Sequence, residues 1–196
     1  MPDIILDGSG NGYRAKVDSN YRLFTNAVTI DEDQEATKTG KSFNINTGII
    51  TLTDANETPL FYFKNNENSN YHITAIIIGS WTSTGGTGIE PQITIVKNPT
   101  GGTIISNAND VSINSNRNFG SSEILDALAY KGATGETLTG GLDHLIFVMS
   151  TSGRLVALVD EVIPKGLSLG IKYTPQTSNT SQKIYAAIVG HLEGGF

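Results

Sequence analysis

The amino-acid sequence predicts an all-β fold: an antiparallel β-sandwich of jelly-roll or Greek-key type with an extended N-terminal arm. Three observations predict it. Charged residues are only 16% of the 196-residue chain, well below the ~25% of ordinary soluble domains. Gly (22 residues), Thr, Ser and Asn fill the deficit, a turn-rich composition in which helix formers do not dominate. From Lys41 onward, strand signals recur at roughly the 8–12-residue spacing of sandwiches and barrels. A fixed-period repeat is lacking, which argues against propellers and solenoids.

Taken in order, residues 1–41 read as an arm and linker, with a plain first strand or two of the sandwich as the alternative, and residues 42–196 as the sandwich domain. Ile4-Ile5-Leu6 is a short apolar tag. Asp7-Gly8-Ser9-Gly10-Asn11-Gly12 has three glycines in six residues and reads as a flexible turn. Tyr13, Ala15 and Val17 alternate with Arg14, Lys16 and Asp18, and Leu23 and Phe24 follow. Asp31–Glu35 reads as an acidic, uncapped loop. In the body, Phe43 and Ile45, Ile49–Leu52, Leu60–Lys64, His72–Gly79, Gln92–Val96, Thr103–Ile105, His144–Met149, Arg154–Val159, Leu167–Tyr173 and Lys183–Gly190 read as strands. His72–Gly79 (HITAIIIG) is expected to be central and buried, so that an acidic residue at Ile77 would unfold the domain. Ser121–Leu128 is the one plausible helix, with a serine cap and apolar residues at 124, 125 and 128, an extended segment being the alternative. The Gly/Thr/Ser-rich stretches 83–88 and 132–141 are expected at the ends of the sandwich.

Charge and cysteine usage exclude several functions. The net charge is −6, which opposes coating of nucleic acid or binding to anionic membranes. The apolar run around Ala75–Ile78 is far shorter than the ~20 residues of a spanning helix. The chain has no cysteine, which removes disulfides, thiolate metal ligands and a thiol nucleophile. The N-terminus lacks a basic region followed by an apolar run, so synthesis in a cytoplasm is expected.

The motifs that suggest chemistry lack their contexts. Gly166-Leu167-Ser168-Leu169-Gly170 fits a nucleophile elbow, but a strand pattern ending at Pro175 follows Ser168, and Glu193 comes after His191; the elbow needs a helix, then an acid, then histidine. Thr39-Gly40-Lys41-Ser42 resembles the end of a P-loop, yet Glu35 stands where the first glycine belongs, and the following Phe43-Asn44-Ile45 alternates as a strand. Asp7, Ser9, Asn11, Gly12 and Asp18 have the spacing of a Ca²⁺ loop without its closing Glu or flanking helices; a plain turn is expected. His72, His144 and His191 are scattered one per strand, without zinc-site spacing. Trp81 reads as a core or interface anchor, with a sugar-stacking platform as the alternative. Asn56-Glu57-Thr58 and Asn179-Thr180-Ser181 match the glycosylation pattern, as an Asn- and Thr-rich chain does by chance. The sequence therefore predicts no catalytic, cofactor or metal site and no enzyme. The residues expected to contact another subunit or a larger assembly are Ile4, Ile5, Leu6, Tyr13, Val17, Leu23 and Phe24.

The segments Asp7–Val17, Lys97–Ala108, Asn116–Ser122, Ala129–Gly132 and Ile163–Gly166, in that order along most of the chain, resemble a group of tailed-bacteriophage virion proteins. The resemblance implies a non-enzymatic capsid decoration, or cement, protein. Such a protein would be a homotrimer that binds the major capsid protein on the outer surface of the virion, with no cofactor and no contact with nucleic acid or membrane. It transfers no site residues. The competing readings are a head fibre, a receptor-binding tip, or a carbohydrate-binding module with aromatics clustered around Trp81.

Overall fold

The structure is a computed structural model and describes residues 16–17, 23–24, 31–53, 56–82, 90–106, 114–150, 152–175 and 182–194. The chain forms two compact units, Met1–Asp31 and Glu32–Phe196. In the first, β1 (Lys16–Val17) pairs antiparallel with β2 (Leu23–Phe24), setting Lys16 opposite Phe24 and Val17 opposite Leu23.

The second unit is an all-β sandwich of two antiparallel sheets. It begins with α1 (Glu32–Lys38), followed by β3 (Ser42–Asn46), β4 (Ile50–Leu52), β5 (Thr58–Asn65), β6 (Tyr71–Thr82) and β7 (Gln92–Lys97). Then come α2 (Thr103–Ser106), β8 (Asn114–Asn116), β9 (Ala127–Lys131), β10 (Leu142–Val148), β11 (Gly153–Ile163), β12 (Ser168–Thr174) and β13 (Gln182–Leu192). One sheet has the order β10-β7-β12-β5-β9, and the other β11-β6-β13-β3-β8, with β4 also on β13. Strands consecutive in sequence, such as β5 and β6 or β10 and β11, lie in different sheets. The chain thus crosses the core repeatedly, which gives the contacts their long range.

The HITAIIIG segment is the central strand expected of it, lying between β11 and β13. Period-two alternation decides its faces. Tyr71, Ile73, Ile76 and Ile78 are fully buried and meet Leu60, Phe61, Phe63, Ile93, Ile95, Ile171 and Tyr173 of the facing sheet in one core. Ile77 points the other way and is only half-buried on the outer face, so the sequence expectation that it is a core residue is corrected. A register shift against β13, between Val189 and Gly190, changes the phase; hence the inward positions run 71, 73, then 76 and 78.

The two outer faces differ. A second apolar cluster of Tyr62, Val96, Ile104 and Leu138, with Ile105 and Tyr130 against it, covers the outside of the five-stranded sheet. An isolated bridge between Gly101 and Thr139 holds this cover together. Gly170 allows the close approach: a Cβ there would stand 2.3 Å from Leu138 Cδ2. This explains why β5 is buried at nearly every position and reads as a continuous apolar run.

Three sequence assignments are corrected. The acidic loop at Asp31–Glu35 is the start of α1. Glu32, Asp33 and Glu35 occupy its first turn, where the helix dipole favours carboxylates. Gly40, at φ 76°, ends the helix: Lys41 N–H donates to Ala36 O at 2.6 Å and Gly40 N–H to Thr37 O at 3.2 Å, a Schellman closure. Thr103–Ile105 is not a strand but part of α2, whose Ile104 is buried in the cover over the five-stranded sheet. Ser121–Leu128 is not a helix. Residues 121–126 have no regular structure, and Ala127 and Leu128 open β9, paired with Asn65 and Lys64 of β5. Residues 32–41, read from sequence as the end of the arm, contain α1, which packs on β3 and β13.

Candidate interaction surface

The surface feature with a physical claim on function is apolar. Large hydrophobic side chains exposed among the described residues number twelve. Six of them lie on two strands: Leu142, Ile146 and Val148 on β10, and Val156, Leu158 and Val162 on β11. Each strand ends its sheet, β10 paired only to β7 and β11 only to β6 among the described residues. The two follow each other in sequence, and His144 Nε2 of β10 lies 2.8 Å from Glu161 Oε1 of β11, so both edges belong to the same side of the sandwich. Their inward residues, Leu145, Phe147, Leu155 and Val159, pack against the core. Their outward positions mix charged and polar residues, His144, Arg154 and Asp160, with large apolar ones, Leu142, Ile146, Val148, Val156, Leu158 and Val162; a solvated edge normally carries charge throughout. Leu158 is 84% exposed.

Between the edges is a cleft of about 170 Å³ lined by Ile95, His144, Glu161, Ile163, Ser168 and Leu169. A second concavity, about 330 Å³, opens on the outer face of the six-stranded sheet among Asn44, Ile49, Ile77, Arg154, Tyr185 and Ala187. Trp81 is 38% exposed and lies against Tyr185, ring centroids 6.4 Å apart and tilted by 59°. It is thus a surface aromatic; its neighbour Tyr185 covers Gly79, where a Cβ would stand 2.1 Å from the Tyr185 ring.

The third feature is ionic. His72 and His191 stack with centroids 5.4 Å apart. Asp160 lies 3.7 Å from His72 Nδ1 and Glu193 4.0 Å from Nε2. His191 is buried, and neither ring nitrogen has a hydrogen-bond partner; Asp33 of α1 stands 3.5 Å from its Nδ1. Arg117 binds the same Asp33 carboxylate at 2.5 Å and Ser42 Oγ at 2.8 Å, while Asn118 Nδ2 donates to Lys38 O at 2.9 Å. These contacts clamp α1 to the sheet. Below them, burial pushes the Tyr71 hydroxyl far above its ordinary range, with Arg117 opposing and Asp33 reinforcing the shift. Tyr173 is pushed up to about 12 by burial, partly offset by its hydrogen bond to Gln182.

The sequence-predicted contact residues belong to residues 1–31, the first unit. Ile4, Ile5, Leu6 and Tyr13 are outside the described residues, as is most of the Asp7–Asp18 loop; Val17, Leu23 and Phe24 form the small β1–β2 pair. Ser168 opens a strand and not a helix, its amide donating to Asn98 Oδ1 at 3.0 Å. Gly40-Lys41-Ser42 ends a helix and begins a strand, the reverse of a P-loop. Of the histidines, 72 and 191 come together and 144 stands apart at the cleft; among the described residues no group of three or more His, Asp and Glu is arranged to hold a metal ion. Sequence reasoning missed the β10–β11 surface. Its signal was present in the outward apolar residues of HLIFV and RLVALV, but nothing local marked those strands as edges.

No protein-family model matches the chain, and no curated protein matches it.

Proposed function

We propose that this protein is a non-enzymatic virion structural protein that binds the major capsid protein on the outer surface of a tailed-phage capsid, as a homotrimer, and stabilises the shell. The observation that carries the reading is the concentration of exposed apolar side chains on β10 and β11. Large apolar side chains left exposed on edge strands mark places where another chain docks. The resemblance of the Asp7–Val17 and Lys97–Ala108 segments to phage virion proteins supplies the kind of assembly. Strand order supports the jelly-roll form: β3-β13-β6-β11 and β5-β12-β7-β10 alternate between sheets as two interleaved Greek keys do. A net charge of −6 suits an outer surface, away from packaged DNA. The protein would be made in the host cytoplasm and would need no cofactor.

A second reading, a head fibre or a receptor- or carbohydrate-binding module, is favoured by the exposed Trp81 beside Tyr185, since sugar faces stack on such rings.

Co-sedimentation with phage capsids stripped of surface proteins tests the first reading, with light scattering to give the mass. Saturable binding, a rise in the melting temperature of the shell, and a mass near three times 20.9 kDa are expected. Failure to bind capsids, with glycan binding that W81A abolishes, would establish the second reading instead.

A further inference from the structure

We propose that the free edge of β11 is a two-fold docking site for the same strand of a second copy of this chain, joining two six-stranded sheets into one. The inference does not rest on the capsid reading.

The argument begins with the strand's own sequence. From Arg154 to Asp160 it reads Arg-Leu-Val-Ala-Leu-Val-Asp, which is self-complementary about Ala157. If two such strands run antiparallel with Ala157 opposite Ala157, each Arg154 faces the other copy's Asp160 and each Val156 faces the other copy's Leu158. Leu155 and Val159 face each other on the core side. An isologous contact requires this kind of match, in which one patch complements itself.

The structure places these residues where the pairing needs them. Arg154, Val156, Leu158 and Asp160 are all exposed and share the outer face, opposite Gly79, Ile77 and Ala75 of β6 for the first three. Directly opposed side chains in an antiparallel pair have Cβ atoms roughly 4.5–5.5 Å apart, so unlike charges there attract and like charges repel. The Asp160 side chain is 94% exposed, with His72 Nδ1 at 3.7 Å. Leu158 and Val156, at 84% and 47% exposure, would be covered by each other. The β11–β6 register shifts between Leu158 and Glu161; the two-fold axis at Ala157 falls in the regular stretch Arg154–Leu158, while Val159 and Asp160 lie in the irregular one and still alternate, Val159 against the core and Asp160 exposed.

Charge exchange tests the proposal. Wild type, R154D, D160R and R154D/D160R are compared by light scattering over a wide concentration range, with circular-dichroism melts to confirm that each is folded. R154D or D160R sets like charges against each other at both ends of the contact, and the double variant restores unlike pairs with their order reversed. Each single variant is expected to weaken self-association at least about tenfold, and the double variant to recover it. Because the chain has no cysteine, V156C/L158C provides a register test: oxidation should give a covalent dimer. The proposal is overturned if wild type remains at 20.9 kDa throughout, if the single variants associate like wild type, if the double variant does not recover, or if no covalent dimer forms. A trimer insensitive to these changes would overturn the pairing and leave the capsid reading standing. A charge-sensitive dimer that ignores capsids would do the reverse.

Discussion

Replacing Ile76 by alanine, beside the same change at Ile77, tests the face assignment of β6 in one experiment. Ile76 is fully buried, opposite Ile188 on one neighbouring strand and Ala157 on the other. The change removes three carbons from the middle of the core. At about 0.8 kcal/mol per buried methylene, transfer alone costs about 2.4 kcal/mol. A fully enclosed site between two sheets collapses poorly, so a cavity contribution adds to this, and the total should fall at about 3–4 kcal/mol, inside the 2–5 kcal/mol range of such deletions. For a chain of this size that is a drop of roughly 6–16 °C in melting temperature. Ile77 is half-buried on the outer face, where alanine leaves no enclosed cavity, and the expected loss is about 1 kcal/mol. Urea unfolding followed by circular dichroism measures both, and equal slopes of the two transitions show that the unfolded states are comparable. Equal losses for the two variants, or a larger loss at Ile77, would refute the facing of the whole strand.

Three further outcomes are expected. Gly132→Ala should cost at least about 2 kcal/mol in the same assay, because a Cβ there would stand 1.6 Å from the Pro59 carbonyl oxygen, backbone that cannot yield cheaply. Tyr173, pushed up to about 12 in the folded protein against about 10 when unfolded, stays protonated where the unfolded chain ionises; its contribution to stability is therefore complete below about pH 10 and lost as pH rises towards 12, and Tyr173→Phe should make the fall over that interval less steep, the remainder coming from the buried Tyr71 hydroxyl. Arg117→Ala should free α1 at a global cost of about 1 kcal/mol, given that the Arg117–Asp33 pair is partly exposed, and hydrogen exchange should show the amides of Glu32–Lys38 losing protection before those of β3.

The strands were legible because alternation is a local property, and burial on one face writes it into the sequence. HITAIIIG could be recognised as central from its apolar density. The phase within it could not, since the register shift that moves the inward positions to Ile76 and Ile78 depends on how β13 pairs. The two helices were illegible for opposite reasons. In α1 the only buried residue is Ala36, so no apolar stripe announces it; its clamp, Arg117, comes from far along the chain. In α2 the sequence Thr-Ile-Ile-Ser has strand propensity, but Gly101 and Thr139 fasten the segment over Tyr62 and Val96, and that tertiary setting prevails. Ser121–Leu128 failed similarly, pairing with β5 outweighing a helical spacing of apolar residues. The exposed apolar strands β10 and β11 were least legible. An edge strand and a buried one both read as HLIFV, and which is which is decided by sheet order, for which the sequence between turns carries no mark.

The six-stranded sheet is unequal at its two ends. One end is the eleven-residue β11; the other is β8, three residues of Asn-Ser-Asn. A ribbon of molecules added edge to edge requires each to offer two long, compatible borders, one to receive and one to donate. Among the described residues this sheet has a single border of that kind, so growth starting along β11 would terminate once that border is occupied. A sheet with one such border would stop at a pair of copies rather than seed a fibre.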